Sequence, residues 1–337
     1  MIPTQTLSRF IHSERRKYPA STGELSDLLV SISLGVKLIS QIVATAGFKG
    51  LYGYSGKTNV HGEATQILDQ EADEVLVELL GSSGHYGLLV SEERDTIIST
   101  DAGQDSAKYV IAFDPLDGSS NIGSNIPVGT IFCIFRKKSQ HGPASANDFL
   151  QPSTSIVAAG YSVYGAKTSF VYSAGDGVHG FTLDPSIGEF ILTSERITVP
   201  ERGSIFSINE GNTCWWDDGV RKFLSELKEG NRDSSSPYTG RYVGSLVADF
   251  DRTLRRGGIF LYPVDSKRPK GRLRLLYECV PLAFIMEQAG GKAVNGPERV
   301  LETLPVDIHQ KSAFVTGSPY EIEWFQRVAH GKVSLPT

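Results

Sequence analysis

The segment Lys108–Asn121, KYVIAFDPLDGSSN, constrains the fold of this 337-residue chain more than any other stretch. Lys108 to Phe113 alternates and is rich in Val, Ile and aromatic residues, which marks a buried strand. Pro115 is expected to stop the ladder, because it has no amide to donate. The strand delivers Asp114 and Asp117 to its carboxyl end, where open α/β sheets place their ligands. Two carboxylates on one tight turn repel each other unless a cation sits between them. A hard divalent ion such as Mg²⁺ combines a few carboxylates with phosphate oxygens. Gly118-Ser119-Ser120 adds unhindered backbone amides and two hydroxyls, which suits a phosphate. An Asp-Pro turn whose second Asp caps a helix is the plainer alternative.

A second acidic element follows the same pattern. Tyr86 to Val90 is another strand and ends in Ser91-Glu92-Glu93. A third acid, Glu278 in RLRLLYECVP, stands late in the chain. One metal-assisted phosphate site accounts for all three acidic strand ends, provided the strands are neighbours.

Composition closes off several classes. A net charge of −5 and a pI near 5.9 argue against a nucleic-acid partner, which calls for a basic face. Cys133, Cys214 and Cys279 are too few and too irregularly spaced for a disulfide framework or a zinc site, and Cys133 and Cys279 read as small core residues. No uninterrupted apolar run reaches the roughly 18 residues of a membrane span. The N-terminal MIPTQTLSRFIHSERRK has no apolar signal core and contains Glu14. A soluble cytoplasmic protein without a membrane partner is expected.

In chain order, the first helix is expected over 22–46, with Ser21 and Glu24 as a capping box and Gly47 as its C-cap. Leu25, Leu28, Leu29, Ile32, Val36, Ile39 and Val43 mark its apolar stripe. Residues 50–62 are glycine-rich and read as a mobile loop. A helix over 63–80 comes next, with Asp69 directly after the apolar pair Ile67-Leu68. Residues 126–138 alternate as a strand, and 156–192 read as an antiparallel meander of short strands and frequent turns. A boundary near Val199-Pro200 separates an N-terminal half, 1–199, from a C-terminal half, 200–337. The second half alternates strands with helices over 217–229, 246–256, 276–290 and 320–330. The fold class is α/β, with sheets layered between helices. Arg272 and Arg274 alternate in an extended segment and point to one side. With Lys267, Arg268 and Lys270 they suggest a phosphate clamp beside Glu278.

The motifs VSEE (90–93), FDPLDGSSN (113–121), VGTIF (128–132), NEG (209–211), RYVGS (241–245), GGIFLYP (257–263) and LRLLYE (273–278) resemble, in this order and spacing, those of the fructose-1,6-bisphosphatases. DPLDGSS alone also occurs in inositol-phosphate phosphatases; RYVGS and LRLLYE disfavour that family. The resemblance implies the layered sugar-phosphatase fold and a Mg²⁺-dependent hydrolysis of a ketose bisphosphate at its 1-phosphate, with Mn²⁺ or Zn²⁺ as alternative ions. It implies that Glu92, Asp114, Asp117 and Glu278 hold one ion, and that Glu92, Asp114 and the Leu116 carbonyl hold a second. Glu63, where the family has Asp, corresponds to a looser third position. Asp69 and Glu93 correspond to the acids that polarise the attacking water, and Arg274 neutralises phosphate charge. Gly118, Ser119 and Ser120 cradle the 1-phosphate, while Gly244, Ser245, Leu246 and Asp117 carry the sugar. Asn209, Tyr242 and Tyr262 grip the distal phosphate, with Arg241 supplied by a neighbouring subunit, which implies a homotetramer or dimer. The loop over 50–62 closes on the site in this family.

Thr22, Gly23, Glu24 and Ser26, with Lys108, Tyr109 and Arg136, match the segments with which the family binds inhibitory AMP; Ser26 replaces the usual Thr. Two distal-pocket positions depart from the family: Asn212 where Tyr is expected after NEG, and Arg272 where Lys precedes LRLLYE. A shorter side chain and a longer bidentate cation point to sedoheptulose 1,7-bisphosphate beside or ahead of fructose 1,6-bisphosphate. A strict fructose-1,6-bisphosphatase of gluconeogenesis is the alternative. A catalytically idle sugar-phosphate or nucleotide-binding regulator is a third possibility, which the full set of acids disfavours.

Overall fold

The computed structural model describes residues 5–18, 21–51, 53–58, 64–99, 107–138, 142–230 and 236–331. Its helices are α1 (Leu7–Arg15), α2 (Glu24–Lys49), α3 (Ile67–Ser83), α4 (Asp218–Glu229), α5 (Leu246–Arg256), α6 (Val280–Gln288) and α7 (Pro319–His330). Among the described residues, two larger sheets alternate with them. The first runs Glu189–Ile197, Val178–Asp184, Thr168–Ser173, Ile156–Tyr164, Val128–Arg136, Tyr109–Asp117, Tyr86–Ser91, Ile98–Ser99 in spatial order. The second runs Thr239–Gly240, Ile205–Ser207, Ile259–Tyr262, Phe314–Gly317, Lys292–Val294.

The strand period of two divides the core. Tyr109, Ile111 and Phe113 face α1–α3 with Leu28, Ile32, Val36 and Leu76. Val110 and Ala112 face α5 and α6 with Phe250, Leu254 and Leu282. The second sheet packs Phe260 and Phe314 into that same layer and Ile259, Leu261 and Val315 against α4 and α7. Helices and sheets therefore alternate in five layers. The expected meander is present as consecutive antiparallel strands from Ile156 to Ile197.

Several expectations are corrected. The Ser21–Glu24 capping box is absent: α2 starts at Glu24 behind Gly23, whose φ of 98° only glycine adopts easily, and Glu24 is engaged instead by Lys108. Gly47 lies inside α2, and Gly50 at φ 65° closes the helix, its amide donating to the Ala46 carbonyl. α2, with 26 residues, is also long and apolar enough for a bilayer span. It buries Leu28, Leu29, Ile32, Val36 and Ile39 in the protein core instead.

Tyr54–Thr58 of the expected 50–62 loop is a strand paired antiparallel with Ala64–Gln66, residues 59–62 lie outside the described residues, and α3 begins only at Ile67. Gln66 and Asp69 form the capping box that fixes that start. The central strand continues through Pro115 to Asp117 rather than stopping there. A register irregularity between Asp114 and Asp117 accommodates the missing donor, and the Pro115 carbonyl accepts from Thr130 Oγ1 at 2.8 Å. Glu278 is not at a strand end; it sits in the π-helical turn Leu275–Cys279 that leads into α6.

Candidate active site

Tyr86–Ser91 and Tyr109–Asp117 are parallel neighbours, with Ser91 opposite Phe113. Their carboxyl ends therefore open side by side, as the acidic motifs require. The Glu92 amide donates to the Phe113 carbonyl at 3.2 Å and starts the turn that presents Glu92 and Glu93. The π-helical turn brings in Glu278 from the opposite layer, and the Arg274 amide donates to its Oε2 at 2.5 Å. Ligand oxygens of Glu92, Asp114 and Glu278 lie within 4.8 Å of one another.

Burial and mutual repulsion make this cluster a poor place for unaccompanied negative charge. Asp114 is raised well above the carboxylate range by burial and then by Glu92, Asp117 and Glu278. Glu278 is raised likewise, by burial first and then by Glu92. Burial pushes Asp117 up to about 7, although the Val247 amide bonded to it opposes the shift. The donor set is all oxygen, anionic and inward-facing, which fits a hard divalent cation.

The acids open into a cavity of about 260 Å³ with Leu116, Gly118, Ser119 and Ser120 on one side and Arg272 and Arg274 on another. Gly118 takes φ 77° at the start of the 3₁₀ turn Ser119–Ser124. That left-handed conformation favours glycine, and the turn packs at ordinary contact distance, 3.4 Å from an added Cβ, against Ser245 Oγ at the N-terminus of α5. Gly244 and Leu246 line the cavity, while Ser245 is buried behind Gly118. Asp69 reaches the cavity from the first turn of α3; burial raises it to about 6 against hydrogen bonds from the Ser119 hydroxyl and the Gln66 amide. Glu93 lines the same space. Arg274, 3% exposed, donates to the Arg272 carbonyl at 2.9 Å and stands 3.7 Å from Glu92.

A narrower cleft adjoins the cavity through Tyr262 and Arg272, which line both. Asn209, Asn212, Trp216 and Arg268 form its far walls. Tyr242 and Tyr262 share a hydroxyl–hydroxyl hydrogen bond of 2.9 Å, and the Arg272 guanidinium lies 5.9 Å from the Tyr262 ring centroid. Arg241 is exposed and lines neither space. The clamp expected of the 267–270 run is corrected: Lys267 and Lys270 face a separate trough beyond Arg272, shared with Lys311, while Arg268 lines both that trough and the distal cleft. Lys267 stacks on Trp215 and Arg268 pairs with Asp265, and none of the three cations lines the cavity that holds Glu278. Glu63 lies outside the described residues.

The nucleotide-type residues assemble at the opposite end of the central strand, about 20 Å from Asp114 by the rise per residue. Lys108 Nζ donates to Thr22 Oγ1 and Glu24 Oε1, each at 3.1 Å. Arg136 lies across the Tyr109 ring at 5.8 Å, on the paired strand. Ser26 is buried in the first turn of α2, beyond Gly23.

Sequence reasoning missed three supports. Gln66 and Asn121 line the cavity, and Asn121 Nδ2 holds the Gly244 carbonyl at 2.9 Å. Asp249, fully buried, accepts from the Val243 and Gly244 amides and from Ser207 Oγ, which fixes the 241–245 loop. An acid in the first turn of a helix that follows a glycine loop was the available signal.

The chain is similar to known proteins in sequence and in fold. The model of the fructose-1-6-bisphosphatase N-terminal domain matches residues 5–195, and that of the C-terminal domain matches 199–330. A class 1 fructose-1,6-bisphosphatase of Chloroherpeton thalassium is 45% identical over 327 residues, 97% of this chain and 93% of that protein. The crystal structure of Leishmania major fructose-1,6-bisphosphatase in holo form superposes with a TM-score of 0.91 at 39% identity, covering 96% of this chain and 98% of that one. Its apo form gives 0.86 at 38%, covering 96% and 99%. The chain belongs to the fructose-1,6-bisphosphatase family.

Proposed function

We propose that this protein is a divalent-cation-dependent phosphatase that removes the 1-phosphate of a ketose bisphosphate, fructose 1,6-bisphosphate or sedoheptulose 1,7-bisphosphate. The observation that carries the proposal is the shared cavity: the Glu92–Asp114–Glu278 oxygens and the Gly118–Ser120 turn line one space with Arg272 and Arg274. Glu92, Asp114, the Leu116 carbonyl, Asp117 and Glu278 would hold Mg²⁺, with Mn²⁺ or Zn²⁺ as substitutes. Such ions neutralise phosphate charge and acidify water. Amides and hydroxyls of 118–120 orient the 1-phosphate, and Arg274 balances its charge. Asp69 and Glu93 orient the attacking water, and Asp69 near pH 6 is matched to accepting its proton. Gly244, Ser245 and Leu246 seat the sugar, and Asn209, Tyr242, Tyr262 and Arg272 hold the distal phosphate. Residues 1–199 would form the metal-bearing and regulatory half, and 200–337 the sugar-phosphate half.

A seven-carbon substrate is supported by the residue set of the distal cleft, where Asn212 stands in place of the family's Tyr alongside Arg272 and Arg268. Inhibition by AMP at Thr22–Ser26, Lys108, Tyr109 and Arg136 is supported by the Lys108 bridge to Thr22 and Glu24. Exposed Arg241 suits a role in a neighbouring active site of a cytoplasmic homotetramer. Phosphate release from both bisphosphates, with Mg²⁺ and with excess chelator, tests the proposal. Equal rates with and without the metal, or turnover of neither sugar, would reject it.

A further inference from the structure

α3 carries two buried aspartates one turn apart, Asp69 at 6% and Asp73 at 3% exposure. Residues four apart share one helix face. Asp69 lines the active-site cavity; Asp73, a turn further along, meets Arg94 instead, with Nε 2.5 Å from Oδ2. The second oxygen of Asp73 is buried with no hydrogen-bond partner among the described residues. Leaving half a carboxylate unsatisfied costs stability, so good packing alone does not explain an acid at this place.

Arg94 directly follows Glu93 and closes the acidic turn. The Arg94 amide donates to the Ser91 carbonyl at 3.4 Å and the Glu93 amide to Ser91 Oγ at 3.2 Å. One end of the turn is thus fixed to the sheet by the Glu92–Phe113 bond, and the other is fixed to α3 by an ion pair. We infer that Arg94 and Asp73 are positioning residues, whose ion pair sets the separation of Glu93 and Asp69 across the cavity. This rests on the reading above in which those two acids orient the attacking water. Neither Asp73 nor Arg94 lines the cavity or belongs to the Glu92–Asp114–Glu278 cluster, so the pair acts on the water's placement rather than on cation capture.

The test compares the parent with Asp73→Asn, Arg94→Met, their double variant, Arg94→Lys and Asp69→Asn. Steady-state kinetics on fructose 1,6-bisphosphate and Tm with and without Mg²⁺ are measured on each. Misplacement by a fraction of an ångström lowers kcat by about tenfold or more in each single pair variant, with KM within about threefold. The double variant should lose no more than the worse single, and Arg94→Lys should recover part of the loss. The Mg²⁺-induced rise in Tm should persist in all of them, because the oxygens of the cation cluster are untouched. A kcat within twofold of the parent in folded Asp73→Asn and Arg94→Met overturns the inference, as does loss of the Mg²⁺-induced rise. Should Arg94→Met fail to fold, the near-isosteric Asp73→Asn decides alone. If Asp69→Asn itself keeps full turnover, the role given to the acids is wrong and the pair's role falls with it.

Discussion

The Val247 amide donates to Asp117 Oδ2 at 3.0 Å across 130 residues of sequence. This bond ties the end of the central strand to the first turn of α5, whose free amides and positive dipole end favour a carboxylate. Asp117 also lines the cavity, with the Glu92–Asp114–Glu278 cluster and with Gly244 and Leu246.

Asp117→Asn separates these two jobs. The amide oxygen of Asn still accepts from Val247, so Tm in excess chelator should match or exceed that of the parent, because one repelling charge is gone. Steady-state kinetics with Mg²⁺ should show a loss of about 3 kcal/mol in transition-state stabilisation, roughly a hundredfold in kcat/KM. Near-parent turnover would mean that the Asp117 charge has no part in the reaction.

Stability without metal should fall as pH rises. Asp114, Asp117 and Glu278 all have folded-state values raised above their unfolded ones. The stability they contribute is complete below the unfolded range, about pH 4, and is lost as pH climbs towards about 7, the folded value of Asp117. A bound cation reverses this penalty and competes with protons. The Mg²⁺-induced rise in Tm should therefore be larger at pH 8 than at pH 6. Thermal melts in buffered EDTA and in Mg²⁺ check this, and a rise independent of pH would contradict it.

Lys108 bridges Thr22 and Glu24 at the N-terminus of α2. With AMP bound there, Lys108→Ala should raise the half-inhibitory concentration by about tenfold, the worth of a charge-assisted hydrogen bond. Activity without AMP should not change, since this end of the strand lies some 20 Å from Asp114. Inhibition curves on the two proteins decide the matter. A parent enzyme unaffected by millimolar AMP has no such site.

Asn212 and Arg272 line one cleft. Restoring the family residues with Asn212→Tyr and Arg272→Lys should move the ratio of kcat/KM towards the six-carbon sugar by about tenfold. The two changes should couple, because both side chains would address one phosphate. Measuring both sugars on the parent, both singles and the double tests this. A ratio constant within about twofold across the four would assign chain-length selection elsewhere.

The sequence by itself determined the strands that carry the acids and the helices α4, α5 and α7. Their signals are local: alternation in 109–113, Asp217 as an N-cap, and an apolar stripe along 246–256. It also singled out Glu92, Asp114, Asp117 and Glu278, because acids in apolar surroundings stand out in one dimension. What it misplaced were boundaries governed by partners distant in sequence. Glu24 caps nothing because Lys108, 84 residues away, takes its carboxylate. The strand passes through Pro115 because Thr130 on the next strand satisfies the displaced carbonyl. The basic run 267–270 stays out of the acidic cavity, with Lys267 held on Trp215 and Arg268 by Asp265. Asp249 and the Asp73–Arg94 pair, which brace the loops of the site, read in sequence as ordinary charged residues. Only the tertiary structure decided which charges became buried, since burial depends on what the other layers of the fold place over them.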